Sequence, residues 1–170
     1  ARGAATDAAA SVSDRPVVAQ MTPEEDGNTL DGTPPGRFAP DLEKRGATIL
    51  GLNCAVGPAP MLDTIERMAA VTPRRLSAQP NAGQPRDVEG RNIYLSSPEY
   101  IASYARRFIP PGVRLVGGCC GTTPEHIRQI KMTGDGLARR TARQQQPNGA
   151  GRGAPGATSV SCAVRVVLGV

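Results

Sequence analysis

The chain has no tryptophan, and only two phenylalanines, three tyrosines and one histidine among 170 residues. Its net charge is +5, drawn largely from Arg139, Arg140, Arg143, Arg152 and Arg165 near the C-terminus. No aromatic residue interleaves those arginines and no nucleic-acid motif surrounds them, so a solvated tail is expected and no nucleic-acid partner. No apolar run approaches the length of a membrane span, so no membrane partner is expected. Residues Ala1 to Ser13 are small and polar and lack the apolar segment of a secretory signal. Four cysteines in such a setting do not read as a disulfide framework. They suit a reducing cytoplasm, where thiolate ligands stay reduced. An initial methionine is also missing, which reads as a fragment or a processed product.

What is present is a strand–helix alternation. Apolar runs at Pro16–Met21, Ala47–Leu52, Arg75–Gln79 and Val113–Val116 read as four strands. A helix is expected after Thr33-Pro34, with Phe38 and Leu42 on one face. A second spans about Ala59 to Ala70, with Met61, Leu62, Ile65 and Met68 at helical spacing. A third opens at Ser97-Pro98-Glu99, and the last at Thr123-Pro124-Glu125. Units of roughly thirty residues in this order are the βαβ pattern. Continuous apolar runs suggest strands buried on both faces. An open doubly wound sheet fits the alternation, and so does half of a (β/α)₈ barrel, whose full form needs eight strands and about 250 residues. The sequence divides into a disordered remnant at 1–13, a folded part at 14–132 and a low-complexity, disordered tail at 133–170.

Cysteines follow two of the strands. Cys54 ends Gly51-Leu52-Asn53-Cys54, and Cys119 and Cys120 lie in Gly117-Gly118-Cys119-Cys120-Gly121. Parallel strands bring their C-terminal ends to one face. Three thiolates meeting there would bind Zn²⁺ and leave its fourth position open, the ligand set of a catalytic rather than a closed site. Adjacent residues on an extended strand point apart, but the flanking glycines permit turns that bring both sulfurs inward. The competing readings are a buried small hydrophobe for Cys54 and a redox-active vicinal pair for Cys119 and Cys120. Asn53 and Asn81, also at strand ends, suit contact with a polar substrate or orientation of a thiolate, against ordinary loop capping. His126 reads as an exposed helix residue, Glu24-Glu25-Asp26 as a solvated acidic turn, and Cys162 as incidental.

Three segments together carry a family resemblance. Gly51-Leu52-Asn53-Cys54-Ala55-Val56-Gly57-Pro58, Gln79-Pro80-Asn81-Ala82-Gly83 and Gly117-Gly118-Cys119-Cys120-Gly121-Thr122-Thr123-Pro124-Glu125-His126-Ile127 resemble the homocysteine-binding domain family. That family includes cobalamin-dependent methionine synthase, betaine–homocysteine methyltransferase and the S-methylmethionine-dependent enzymes. The loop Met21 to Pro35 and the stretch Asp87 to Tyr104 most resemble the bifunctional homocysteine S-methyltransferase/methylenetetrahydrofolate reductase. The likeness spans about Asp14 to Lys131 and corresponds to the second half of the family barrel.

The resemblance implies an α/β fold, a partial (β/α)₈ TIM barrel of about four C-terminal strand–helix units. It implies Zn²⁺ as cofactor, held by Cys54, Cys119 and Cys120, with the homocysteine sulfur as a fourth ligand. It implies methyl transfer to that thiol, giving methionine. The donor is methyltetrahydrofolate, methylcobalamin, betaine or S-methylmethionine. An inactive zinc-binding fragment, or a thiol-redox protein using Cys119 and Cys120, are the other readings of the same residues.

Overall fold

The computed structural model describes residues 4–12, 14–54 and 56–144, with side chains as far as residue 134. The elements run α1 Ala4–Val12, β1 Val18–Met21, α2 Pro35–Lys44, β2 Ile49–Asn53, α3 Pro58–Ala69 and β3 Arg75–Gln79. They continue with a hairpin of β4 Arg86–Val88 and β5 Arg91–Ile93, then α4 Pro98–Phe108, β6 Val113–Val116 and α5 Pro124–Gln144. Strands β1, β2, β3 and β6 form one parallel sheet in that order.

The order of the strands decides where the helices lie. Each new strand is added to the same edge, and right-handed crossovers then put every helix on one face. The core bears this out. Phe38 and Leu42 of α2, Met61, Ile65 and Met68 of α3, Ile101 and Phe108 of α4 and Ile130 of α5 join one cluster. From the sheet it takes Ala19, Leu50, Leu52, Leu76, Ala78, Val113 and Val116. Full burial of a side chain such as Phe108 or Ile65 contributes about 1.5–3 kcal/mol. A sheet with helices on one face only is a wall of a barrel, not a doubly wound layer.

The opposite face differs from the expectation of strands apolar on both sides. Across the register it presents Val18, Ile49 and Arg75, then Gln20, Gly51 and Ser77, then Asn53 and Gln79. Gln20 Nε2 donates to Ser77 Oγ at 3.0 Å, passing over Gly51. A Cβ on Gly51 would lie 1.8 Å from Ser77 Oγ, so only glycine leaves this bridge room. The inner face is therefore small and polar in its middle layer. The strands alternate in the ordinary way, as Arg75-Leu76-Ser77-Ala78-Gln79 shows.

Two of the disordered assignments are corrected. Residues 4–12 form α1, because Ala-Ala-Thr-Asp-Ala-Ala-Ala is rich in the best helix former. Small side chains let α1 sit close, with Ala10 near Gly46 and Asp7 paired to Arg45 at 2.6 Å. At the other end, α5 continues through residues 133–144 to Gln144, past two glycines, on a segment that also carries alanine, leucine, arginine and glutamine. The rest of the expected tail, 145–170 with Cys162, lies outside the described residues, as does Ala55.

Smaller shifts have local causes. α2 begins at Pro35, not Pro34. Thr33 does not cap it, because its hydroxyl turns to Asp31 Oδ1 at 3.1 Å. Ser97 does cap α4, accepting from the Tyr100 N–H at 3.2 Å. The long loop after β3 holds the β4–β5 hairpin. It turns at Glu89 and Gly90, both with positive φ (53° and 75°), and Asp87 Oδ1 accepts from the Gly90 N–H at 2.9 Å.

Among the described residues no strand pairs with the outer edge of β1. α1 stands alongside the free edge of β1, and between them is a cavity of about 250 Å³ lined by Ala5, Thr6, Ala9, Val18, Gln20 and Leu42 among others.

Candidate metal centre

Cys54 directly follows β2, and Cys119 and Cys120 begin three residues after β6. The register between β2, β3 and β6 carries both points to one end of the sheet. Cys54 adopts φ 62°, a left-handed conformation that costs a non-glycine residue about 1–2 kcal/mol. That turn aims the thiol back across the strand end. Its N–H is held by Gln79 O at 3.1 Å. The Cys119 N–H bonds Pro80 O at 3.0 Å, and the Cys120 carbonyl accepts from Ala82 N–H at 2.9 Å. The segment after β3 is thus the bracket against which both cysteine turns are fixed.

The three Sγ atoms all lie within 4.8 Å of one another. Cys54 Sγ is 3.5 Å from Cys120 Sγ, and Cys119 Sγ is 4.0 Å from it. Sulfurs at 2.3 Å from one tetrahedral ion would stand about 3.8 Å apart. The observed spacings straddle that value. The shorter thiol pair is Cys54–Cys120, so adjacency in sequence does not select the nearest partner. Burial, then hydrogen bonding to Cys54 and its charge, push the Cys119 thiol up to about 12. Three thiols this close resist ionising together, and a shared divalent cation is the chemical remedy. The donor set, three soft sulfurs with no competing carboxylate, fits zinc.

Asn81 is buried, and its Oδ1 accepts from the Cys120 N–H at 3.1 Å. It therefore holds the backbone beside a sulfur. Asn53 is half-buried at the end of β2, opposite Gln79, on the face away from the helices.

His126 is not an exposed helix residue: only 6% of it is accessible. Its Nδ1 accepts from the Thr123 N–H at 3.1 Å, which leaves the proton on Nε2 to donate to Ser96 O at 3.0 Å. The ring ties the end of the hairpin loop to the start of α5. Tyr94, in that loop, was not singled out by its sequence context. Its ring covers Gly121, where any Cβ would collide with it. Partial burial, then the nearby thiols of Cys120, Cys54 and Cys119, raise its pKa. Glu25 also reaches the loop, accepting from Gln84 Nε2. Neither contact leaves a mark in local sequence, because both join segments far apart in the chain.

A barrel wall with a cluster of three thiols at the C-terminal ends of its strands defines a class of (β/α) enzymes that place their chemistry at that face. The model of the homocysteine S-methyltransferase family matches residues 2–133, and the chain belongs to that family. The match begins before Asp14 and takes in α1. Methionine synthase of Mycobacterium leprae (strain TN) is 38% identical over 116 residues, covering 68% of this chain and 10% of the relative. An S-methylmethionine–homocysteine S-methyltransferase of Pongo abelii is 39% identical over 136 residues, covering 69% of this chain and 37% of the relative. The homocysteine methyltransferase MmuM from Escherichia coli, in its metallated form, shares the fold with a TM-score of 0.60 and 24% identity. That likeness covers 76% of this chain and 40% of that one. The chain therefore spans well under half the length of these relatives. Among the described residues no helix is long and apolar enough to cross a membrane.

Proposed function

We propose that this chain carries the zinc-holding half of a homocysteine S-methyltransferase, with Cys54, Cys119 and Cys120 as the metal ligands. The observation that carries the reading is the convergence of the three sulfurs within 4.8 Å at the strand ends. Bound there, zinc would supply the positive charge that lowers a substrate thiol's pKa, so that a thiolate exists at neutral pH. The chain's own part is to hold the site open and shaped. The left-handed turn at Cys54 and the brackets on Cys119 and Cys120 set the three sulfurs. Cys120 is the exposed member of the three, so the approach for a fourth group is from its side. Asn53 and Asn81 are proposed to meet the polar end of homocysteine, Asn81 while also fixing Cys120.

In the reaction so proposed, the homocysteine sulfur forms a bond to the donor's methyl carbon. The bond from that carbon to the donor breaks, its electron pair leaves with the demethylated donor, and methionine is the product. The names of matched relatives include S-methylmethionine and betaine as donors. Methyltetrahydrofolate and methylcobalamin complete the set to be tried. A reducing compartment such as the cytoplasm is proposed, since oxidised sulfurs hold no zinc.

Coverage of 37% and 40% of its relatives favours a narrower reading for the 170 residues taken alone, zinc retention without turnover. Near-attack geometry needs the substrate gripped from both sides, and only one wall is here. The test is to purify the chain under reducing conditions, measure zinc, and assay methionine formation with each donor against Cys120→Ala. Zinc retained and lost with Cys120 supports the ligand assignment. Methionine above that control would show that one wall suffices. A chain with no affinity for zinc would overturn the proposal.

A further inference from the structure

The inner face of β1, β2 and β3 carries amide and hydroxyl side chains in two layers. The lower layer is spent on itself, since Gln20 Nε2 donates to Ser77 Oγ at 3.0 Å. The upper layer is Asn53 and Gln79, opposite each other in the register of β2 and β3. Gln79 is only 5% accessible, yet among the described residues no hydrogen bond reaches its side-chain amide. No wholly enclosed side-chain polar atom among those residues lacks a partner, so the amide keeps its opening onto the inner face. Buried amides are nearly always paired, and one left without a partner costs the fold stability.

The place of that amide is prepared. Beside Gln79, just past the end of β6, comes Gly117, whose N–H bonds Ala78 O at 3.0 Å. A Cβ on Gly117 would stand 3.3 Å from Gln79 Cγ and 3.7 Å from its Cδ and Nε2. Glycine there gives the Gln79 side chain room to lie toward the end of β6. Gln79 thus sits in the middle of an arc whose two ends carry Cys54 and the Cys119–Cys120 pair. Its partner in the register, Asn53, is one residue short of Cys54, about 3.3 Å along the strand. Arg75 is the charged side chain on this face of the three strands, and it lies two layers further from the sulfurs.

We propose that Gln79 is a specificity-determining residue that binds the polar end of the thiol held at the metal, selecting an amino-acid thiol over a simple alkyl thiol. This rests on the zinc reading above. Two methylenes separate the sulfur of homocysteine from the carbon that bears its ammonium and carboxylate. A head group anchored through the sulfur therefore reaches a layer one residue away. A primary amide answers both charges, because its oxygen accepts from an ammonium and its N–H groups donate to a carboxylate. A neutral lining of this kind suits a head group that carries both charges at once.

The experiment loads the chain with one equivalent of zinc under reducing conditions. Calorimetric titration then compares homocysteine with propanethiol, which lacks the head group. The parent is expected to bind homocysteine the more tightly. Gln79→Met keeps the length of the side chain and removes the amide. Homocysteine affinity should then fall about tenfold, the effect of losing a hydrogen bond to a charged group. Propanethiol affinity and zinc content should stay as they were. In the metal-free variant the denaturation midpoint should hold or rise, because the amide gives the fold no bond to lose. Equal affinity of the zinc-loaded parent for the two thiols, or none for either, would overturn this proposal alone. So would unchanged homocysteine affinity in Gln79→Met with zinc bound. A lowered midpoint with both thiols weakened together would overturn it too, since that marks a purely structural amide. A parent chain that takes up no zinc would overturn both this and the zinc reading.

Discussion

The C-terminal strand ends and the outer edge of β1 are two different margins of one sheet. At the C-terminal ends of β2, β3 and β6, every group that sets the three sulfurs belongs to this chain. Gln79, Pro80, Asn81 and Ala82 bracket the cysteines, and the Tyr94 ring covers Gly121 beside them. At the outer edge of β1 no further strand pairs among the described residues. α1 comes before β1 in the chain. A cavity of about 250 Å³ separates it from the β1 edge. The difference teaches that the placing of the three sulfurs is local to three strand ends and draws nothing from the β1 edge.

Replacing one sulfur should break the finished margin most severely. Cys54→Ala leaves two ligands, and zinc affinity should fall by a factor of about 100 or more, read by competition with a chromophoric chelator. A fall of only a few-fold would mean that Cys54 is not a ligand.

The pH dependence comes next. In the metal-free chain the Cys119 thiol is pushed up to about 12, first by burial. Its folded pKa lies above the unfolded one. The fold's preference for the protonated thiol is therefore fully present below the unfolded value and is lost as pH rises through the folded one. Zinc must displace such protons, so its apparent affinity should climb with pH by about tenfold per unit for each proton released. Binding that is flat from pH 6 to pH 8 would show that protonated thiols are not what the metal meets.

Much of this was legible in sequence, and the failures share a cause. The strands and the apolar faces of α2, α3 and α4 show as periodicity, and Cys54, Cys119 and Cys120 show as thiols after two such strands. What stayed hidden depends on contacts between distant segments. α1 is rich in alanine, so it has no strong apolar stripe to announce it. The hairpin turn places Glu89 at a positive φ, where glutamate gives no turn signal. His126 looks like any polar residue in a first helical turn until Ser96 is brought against it from thirty residues away. The polar inner face was missed because Gln20 and Ser77 meet only across Gly51.

That bridge gives a smaller test. Gly51→Ala would force its Cβ into Ser77 Oγ and against the Ser77 carbonyl, at 1.8 and 2.8 Å. Overpacking of this kind costs about 1–3 kcal/mol. Denaturant unfolding should show it as a lowered midpoint, while zinc stoichiometry holds, since Gly51 lies below the sulfurs. Unchanged stability would mean that the sheet yields more freely than its spacing implies.

The smallest effect belongs at the open margin. Val18 is exposed, and on the alternation of β1 its N–H points away from β2. Proline is tolerated on such an edge. Val18→Pro should change stability by no more than about 0.5 kcal/mol and leave zinc affinity alone. A large loss would show that the β1 edge is already engaged by this chain.

The most direct measurement is zinc-edge X-ray absorption on the 170-residue chain loaded with one equivalent of metal. The expected result is three sulfur neighbours at about 2.3 Å and one lighter atom, in a monomeric chain. Four sulfurs drawn from two chains, or fewer than three from one, would contradict a metal centre complete within this wall of the barrel.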